Sequence, residues 1–122
     1  MAKILIAEDD VSMRQFLKMA LEKAGHEVKA AEDGLAALRI IETHPSFDLL
    51  LADIVMPGMD GIELSRKTGE LHPETKIMFI TGFTAVAMEQ LAQDQPNGAP
   101  AVVSKPFHLK QIVEQIDQLL AA

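Results

Sequence analysis

Five residues of the 122-residue chain could do chemistry together: Glu8, Asp9, Asp53, Thr81 and Lys105. Each stands at or just after the end of a short apolar run. Asp53 is the central one. It closes Leu49-Leu50-Leu51-Ala52 and is followed by Ile54-Val55-Met56-Pro57-Gly58-Met59-Asp60-Gly61. A charge closing an apolar strand costs desolvation energy unless something compensates it. Glu8 and Asp9 add to that cost if they converge on Asp53, because three carboxylates in a small space repel one another. A hard divalent cation is the cheapest relief, and Mg²⁺ takes oxygen ligands while keeping waters and binding phosphate oxygens. With the cation in place Asp53 stays ionised and can attack phosphorus, as carboxylates that form aspartyl-phosphates do. The cation, the Lys105 ammonium and the Thr81 hydroxyl would then share the charge of the product. Phosphoryl transfer is largely positioning plus electrostatics, so these groups suffice given a good donor.

The elements that must position them follow from hydrophobic periodicity. Lys3-Ile4-Leu5-Ile6-Ala7 reads as a buried strand, ended by Glu8-Asp9-Asp10. A helix follows from about Ser12, with Phe16, Leu17, Ala20, Leu21 and Ala24 at helical spacing and Gly25 as its stop. Glu27-Val28-Lys29-Ala30-Ala31 alternates, which suits an edge strand. Asp33-Gly34 turns the chain into a second helix through Leu35, Ala37, Leu38 and Ile41, stopped before Pro45. Phe47-Asp48-Leu49-Leu50-Leu51-Ala52 has the near-continuous apolar character of a central parallel strand. A third helix opens near Asp60, runs through Ile62, Leu64 and Leu71, and finishes at His72-Pro73, with Ser65 and Lys67-Thr68-Gly69 weakening it. Lys76-Ile77-Met78-Phe79-Ile80 is the fourth strand, ending in Thr81-Gly82. A helix is predicted over Ala85 to Gln93 and a loop from Asp94 to Pro100. Ala101-Val102-Val103 is a short fifth strand, ended by Ser104-Lys105-Pro106. Leu109, Ile112, Val113, Ile116, Leu119 and Leu120 make the last helix.

Strand followed by helix, repeated along the chain, predicts an α/β domain: a five-stranded parallel sheet flanked by five helices, with right-handed crossovers. The five chemical residues all fall at carboxyl ends of strands, and those ends lie along one edge of such a sheet. Ligands bind there, where the strand order reverses.

Composition narrows the classes further. The length suits one domain. Apolar residues make up 48 %, enough for a core, and the absence of Cys fits a reducing compartment. The net charge of −7 argues against a nucleic-acid partner, since phosphate contacts need Lys and Arg. The apolar run after Met1 is too short for a signal peptide, and no stretch approaches the ~20 apolar residues of a membrane span. A cytoplasmic protein with no membrane partner is the expectation. Asp10 and Asp60 read as helix caps. The four His show no metal spacing and are expected at the surface, with His108 on a partner face. The Met residues are expected to fill core and loops, with Met88 the one to check for exposure.

The whole chain resembles the receiver domain of two-component response regulators, the CheY-like fold with strand order 2-1-3-4-5. Glu8 and Asp9 match that family's acidic metal-binding pair, and Asp53 with the loop to Gly61 matches the phosphorylated aspartate and its loop. The resemblance implies a Mg²⁺ cofactor, a metal ligand in the Val55 backbone carbonyl, a switch hydroxyl in Thr81, and the family's Lys in Lys105-Pro106. It implies a histidine kinase or histidine phosphotransfer protein as phosphoryl source. Two positions depart from the pattern. The first acidic residue is Glu8 rather than Asp, and Val102 stands where the switch aromatic is usual, with Phe83 a candidate to replace part of it. The partner-reading face would comprise the helix with Met88, the fifth strand with Val102, and the start of the last helix with His108 and Gln111. Lys76 to Phe83 and Ser104 to Leu109 are similar to stand-alone regulators of the CpdR type. In that group the unphosphorylated form engages the ClpX unfoldase and promotes regulated proteolysis, and phosphorylation switches this off.

Three other readings compete. An aspartyl-phosphate phosphohydrolase of the haloacid-dehalogenase type needs a second acid two residues after the nucleophile, where Val55 stands. A flavodoxin-like carrier needs a phosphate-binding first loop, and Glu8-Asp9-Asp10 would repel phosphate. A degenerate receiver that is never phosphorylated is disfavoured by the complete set Glu8, Asp9, Asp53, Thr81 and Lys105.

Overall fold

Ile4-Leu5-Ile6-Ala7 and Leu49-Leu50-Leu51-Ala52 are buried on both faces, and they lie side by side at the middle of a parallel sheet. The structure, a computed structural model, describes residues 2–81, 101–104 and 108–121. Among these the sheet comprises β1 (Lys3–Ala7), β2 (Glu27–Ala31), β3 (Leu49–Asp53), β4 (Lys76–Thr81) and β5 (Ala101–Ser104), in the order β2-β1-β3-β4-β5. Every pairing is parallel. The described helices are α1 (Val11–Lys23), α2 (Gly34–Thr43), α3 (Gly61–Leu71) and a last helix, here α4 (Leu109–Ala121). The helix expected over 85–93 and the loop to Pro100 lie outside the described residues, so four helices stand where five were expected.

Side-chain alternation along each strand sends successive residues to opposite faces. One core joins Ile4, Ile6, Leu49 and Leu51 to Leu17 and Leu21 of α1 and Ile112 and Ile116 of α4. The other joins Leu5, Ala7, Leu50 and Ala52 to Ala37 and Ile41 of α2 and Leu64 of α3. The central strands therefore have no polar face, while β2 at the sheet edge keeps Glu27 and Lys29 exposed. Three aspartates start three helices in the same way. Asp10, Asp33 and Asp60 each accept the backbone N–H three residues on, from Met13, Ala36 and Glu63, at 2.8, 2.7 and 2.8 Å. Such a cap stabilises by about 1 kcal/mol. The third helix, weak by propensity, is held by packing. Ser65 and Thr68 are buried, and their hydroxyls donate back to the Ile62 and Leu64 carbonyls, which removes the cost of burying them.

Two expectations need correction. Phe16 sits at helical spacing with Leu17 and Leu21 but is 54 % exposed, with Met19 at 65 % beside it on the outer face of α1. Only a stripe about 100° wide faces the sheet, and Leu17 and Leu21 already occupy it. The histidines, expected at the surface, are mostly structural ties. His26 is 8 % exposed at its side chain; Nδ1 accepts the Ala2 N–H at 3.2 Å and Nε2 donates to Asp117 at 2.9 Å, joining the start of β1 to α4. His44 is half-buried and lies 3.0 Å from the Ile40 carbonyl. His72 Nε2 donates to the Ile41 carbonyl at 3.0 Å, linking α3 to α2. His108 alone among the four is exposed.

Beside His72, the Ser46 hydroxyl donates to the Glu74 carboxylate. This bond holds the Glu74 carboxyl below its usual range, helped by its own backbone N–H and by His72. A depressed carboxyl stabilises the fold above the ordinary glutamate range and loses that contribution as pH falls through and below it. Ser46→Ala is therefore expected to flatten the acid limb of a stability–pH curve while leaving its neutral limb nearly parallel to wild type, read by urea unfolding between pH 3 and 7.

The glycines supply a second expectation. A Cβ on Gly34 would meet the Met59 carbonyl at 2.1 Å, and one on Gly61 the Asp53 carbonyl at 2.2 Å; both obstacles are backbone. Gly69 is exposed in α3 with nothing within 4 Å. Gly34→Ala and Gly61→Ala should each destabilise by at least about 2 kcal/mol, whereas Gly69→Ala should stabilise by about 0.5–1 kcal/mol. Urea denaturation of the three variants separates these signs.

Candidate functional site

The sheet register builds the site. Ala7 pairs with Ala52, so the residues that follow, Glu8 and Asp53, emerge side by side at the carboxyl edge. Asp53 pairs with Ile80, which brings the end of β4 and Thr81 to the same edge. The chain order reverses between β1 and β3, and crevices of open parallel sheets form at such a point.

Glu8 is fully buried and Asp53 is 5 % exposed, while Asp9 is open to solvent. Oxygens of the three carboxylates all lie within 4.8 Å of one another. The backbone around them is pinned on every side. The Glu8 N–H donates to the Ala31 carbonyl of β2 at 3.1 Å, and the Glu8 carboxylate accepts the Asp10 N–H at 3.2 Å. Asp53 Oδ1 accepts the Val55 N–H at 3.1 Å. Behind it, Ile54 N–H donates to Ile80 and Gly61 N–H returns to Ile54, at 3.1 and 2.9 Å, fixing the loop after Asp53. Gly61 has to be glycine because the Asp53 carbonyl passes against its Cα. Three oxygen-only donors, two of them removed from water, suit a hard cation of the Mg²⁺ or Ca²⁺ kind and not a soft thiolate metal.

The structure thus brings together Glu8, Asp9 and Asp53, with the Thr81 backbone at the same edge. Val55 lies in the loop after β3 with an exposed side chain. Val102 stands in β5 opposite Phe79 of β4. His108 and Gln111 are exposed at the start of α4, where the His108 carbonyl accepts the Ile112 N–H at 3.2 Å. Lys105, Phe83 and Met88 lie outside the described residues. Sequence reasoning passed over Arg14. Its guanidinium Nη1 donates to the Glu8 carbonyl at 2.9 Å. The signal was available: a cation in the first turn of a helix opposes the helix dipole and needs another reason to be there.

Residues 4–117 match the response regulator receiver domain family. The chain belongs to that family, and its architecture is the CheY-like α/β fold with a parallel sheet. It is 52 % identical over 122 residues to the response regulator receiver protein CpdR of Brucella abortus, covering 100 % of this chain and 99 % of that protein. It is 34 % identical over 121 residues to a segment of the sensor kinase CckA of Brucella abortus, covering 98 % of this chain and 12 % of the kinase. A CheY-like response regulator receiver domain protein from Methanospirillum hungatei superposes with a TM-score of 0.87 at 33 % identity, covering 98 % of this chain and 93 % of that one. Receiver domains are regulatory modules, and no described helix is long and apolar enough to cross a membrane.

Crowding three carboxylates costs folding energy in the absence of a cation. Asp9→Asn removes one charge at an exposed position without disturbing either buried group. In chelator it is expected to raise unfolding free energy by up to about 1 kcal/mol, a surface-screened repulsion. Adding Mg²⁺ should stabilise wild type more than the variant, so the two melting curves converge or cross.

Proposed function

We propose that the chain is a phosphoryl-accepting response regulator that takes a phosphoryl group on Asp53 and thereby changes its binding to a separate protein. The observation that carries this reading is the convergence of Glu8, Asp9 and Asp53 at one sheet edge, with two of the three buried. The residues that would hold Mg²⁺ are Glu8, Asp9 and Asp53, with the Val55 carbonyl as a further ligand by family likeness. When bound, the ion neutralises the acidic cluster and draws charge from the phosphoryl oxygens. Asp53 then acts as nucleophile: a carboxylate oxygen forms the O–P bond as the donor's P–N or acyl P–O bond breaks, and the imidazole or acetate leaves with the electron pair. The Val55 N–H holds one Asp53 oxygen, which orients the carboxylate for in-line attack. By family likeness Lys105 balances charge on the acyl phosphate and Thr81 donates its hydroxyl to it. The chain is a phosphoryl acceptor rather than an enzyme with a separate substrate.

Similarity to CpdR and to a segment of CckA supports a histidine kinase or histidine phosphotransfer protein as the phosphoryl source. Likeness to CpdR-type regulators also makes the ClpX unfoldase the leading downstream partner, engaged in the unphosphorylated state, in the cytoplasm. The face that reads the state would include Phe83, Met88, Val102, His108 and Gln111.

Intact-mass measurement after incubation with acetyl phosphate tests the core of this. Wild type with Mg²⁺ should gain one phosphoryl-sized increment, and Asp53→Asn should gain none. Chelator should abolish the gain. An increment of equal size on Asp53→Asn, or none on wild type with either acetyl phosphate or a phosphohistidine donor, would sink the reading.

A further inference from the structure

Arg14 is the basic residue in the first turn of α1, a turn with no acidic side chain to balance it. A cation there is disfavoured by the helix dipole. The side chain is half-buried and turns back toward the loop before the helix. Nη1 donates to the Glu8 carbonyl at 2.9 Å, and the Arg14 backbone N–H donates to the Asp10 carbonyl at 2.9 Å. One residue therefore grips both ends of the three-residue segment that carries Glu8 and Asp9. On the other side the segment is held by the Glu8 N–H bond to Ala31.

We propose that Arg14 is a positioning residue for cation binding: its guanidinium holds the Glu8-Asp9 segment where three carboxylates can share one ion. This rests on the cation site proposed above. Without the ion, like charges push the segment away from Asp53, against the neutral backbone bonds from Glu8 to Ala31 and from Arg14 to Asp10. A guanidinium–carbonyl bond is charge-assisted and stronger than those. Arg14 also acts in the opposite sense, because its positive charge repels a cation. That repulsion is screened by solvent and salt at a half-exposed group, whereas the tether fixes the backbone from which the Glu8 and Asp9 carboxylates project. The tether is the larger effect.

The two effects predict opposite signs, so Mg²⁺ affinity distinguishes them. The readout is calorimetric or amide-shift titration of the whole chain with MgCl₂, with no phosphodonor present. Arg14→Ala should weaken Mg²⁺ binding roughly five- to tenfold, while Arg14→Lys, which can still donate to the Glu8 carbonyl, should stay within about twofold of wild type. If Arg14→Ala melts below the assay temperature, Arg14→Gln, with much of the aliphatic stem retained, carries the same expectation. Arg14→Ala binding Mg²⁺ as tightly as wild type, or more tightly, overturns the inference and leaves Arg14 as a charge alone. Absence of saturable Mg²⁺ binding by wild type, matching Asp9→Asn, overturns the cation-site reading and this inference with it.

Discussion

Repulsion among three carboxylates is the constraint around which this molecule is arranged. Two of them are buried at the end of a sheet whose central strands have no polar face, so water has little access to their charge. The fold resists the repulsion with backbone bonds. Glu8 is tied to β2 and to α1, Asp53 to its own loop, and that loop to β4 and α3. In the proposed function, a divalent ion and a transferred phosphoryl group change the charge balance at this one point.

The surroundings are built to keep that point rigid. Gly34 and Gly61 allow the loop after Asp53 to press against α2 and against the end of β3 with no side chain between. The aspartate caps start α1, α2 and α3 at the carboxyl edge, with their dipoles' positive ends turned toward it. On the opposite edge, His26 ties α4 to the start of β1, His72 ties α3 to α2, and the Ser46–Glu74 pair joins the loops that precede β3 and β4. Phe16 and Met19 are exposed apolar groups on the outer face of α1.

Much of this was legible in the linear chain. Apolar runs marked β1, β3 and β4, because strands covered on both faces need apolar residues at every position. Glu27 to Ala31 alternates, and its place at the sheet edge follows from that. Asp10 and Asp60 were recognisable as caps from the apolar-periodic residues that follow them. Other features were not. Phe16 shares helical spacing with Leu17 and Leu21, and periodicity alone cannot say where a stripe ends. The histidines have no local pattern, since their partners Ala2, Asp117, Ile41 and Ser46 come from distant segments.

By itself the sequence determined the kinds of element, the families of side chain at their ends, and the acidic set with Asp53 as its centre. These follow from local spacing and from the cost of closing an apolar run with a charge. Only the tertiary structure decided that Glu8 lies beside Asp53, that both are dry while Asp9 is wet, and that Arg14 reaches back to the Glu8 carbonyl. Those facts depend on strand register and on which helix covers which face. Register is a property of two segments paired across the sheet, and neither segment carries it alone.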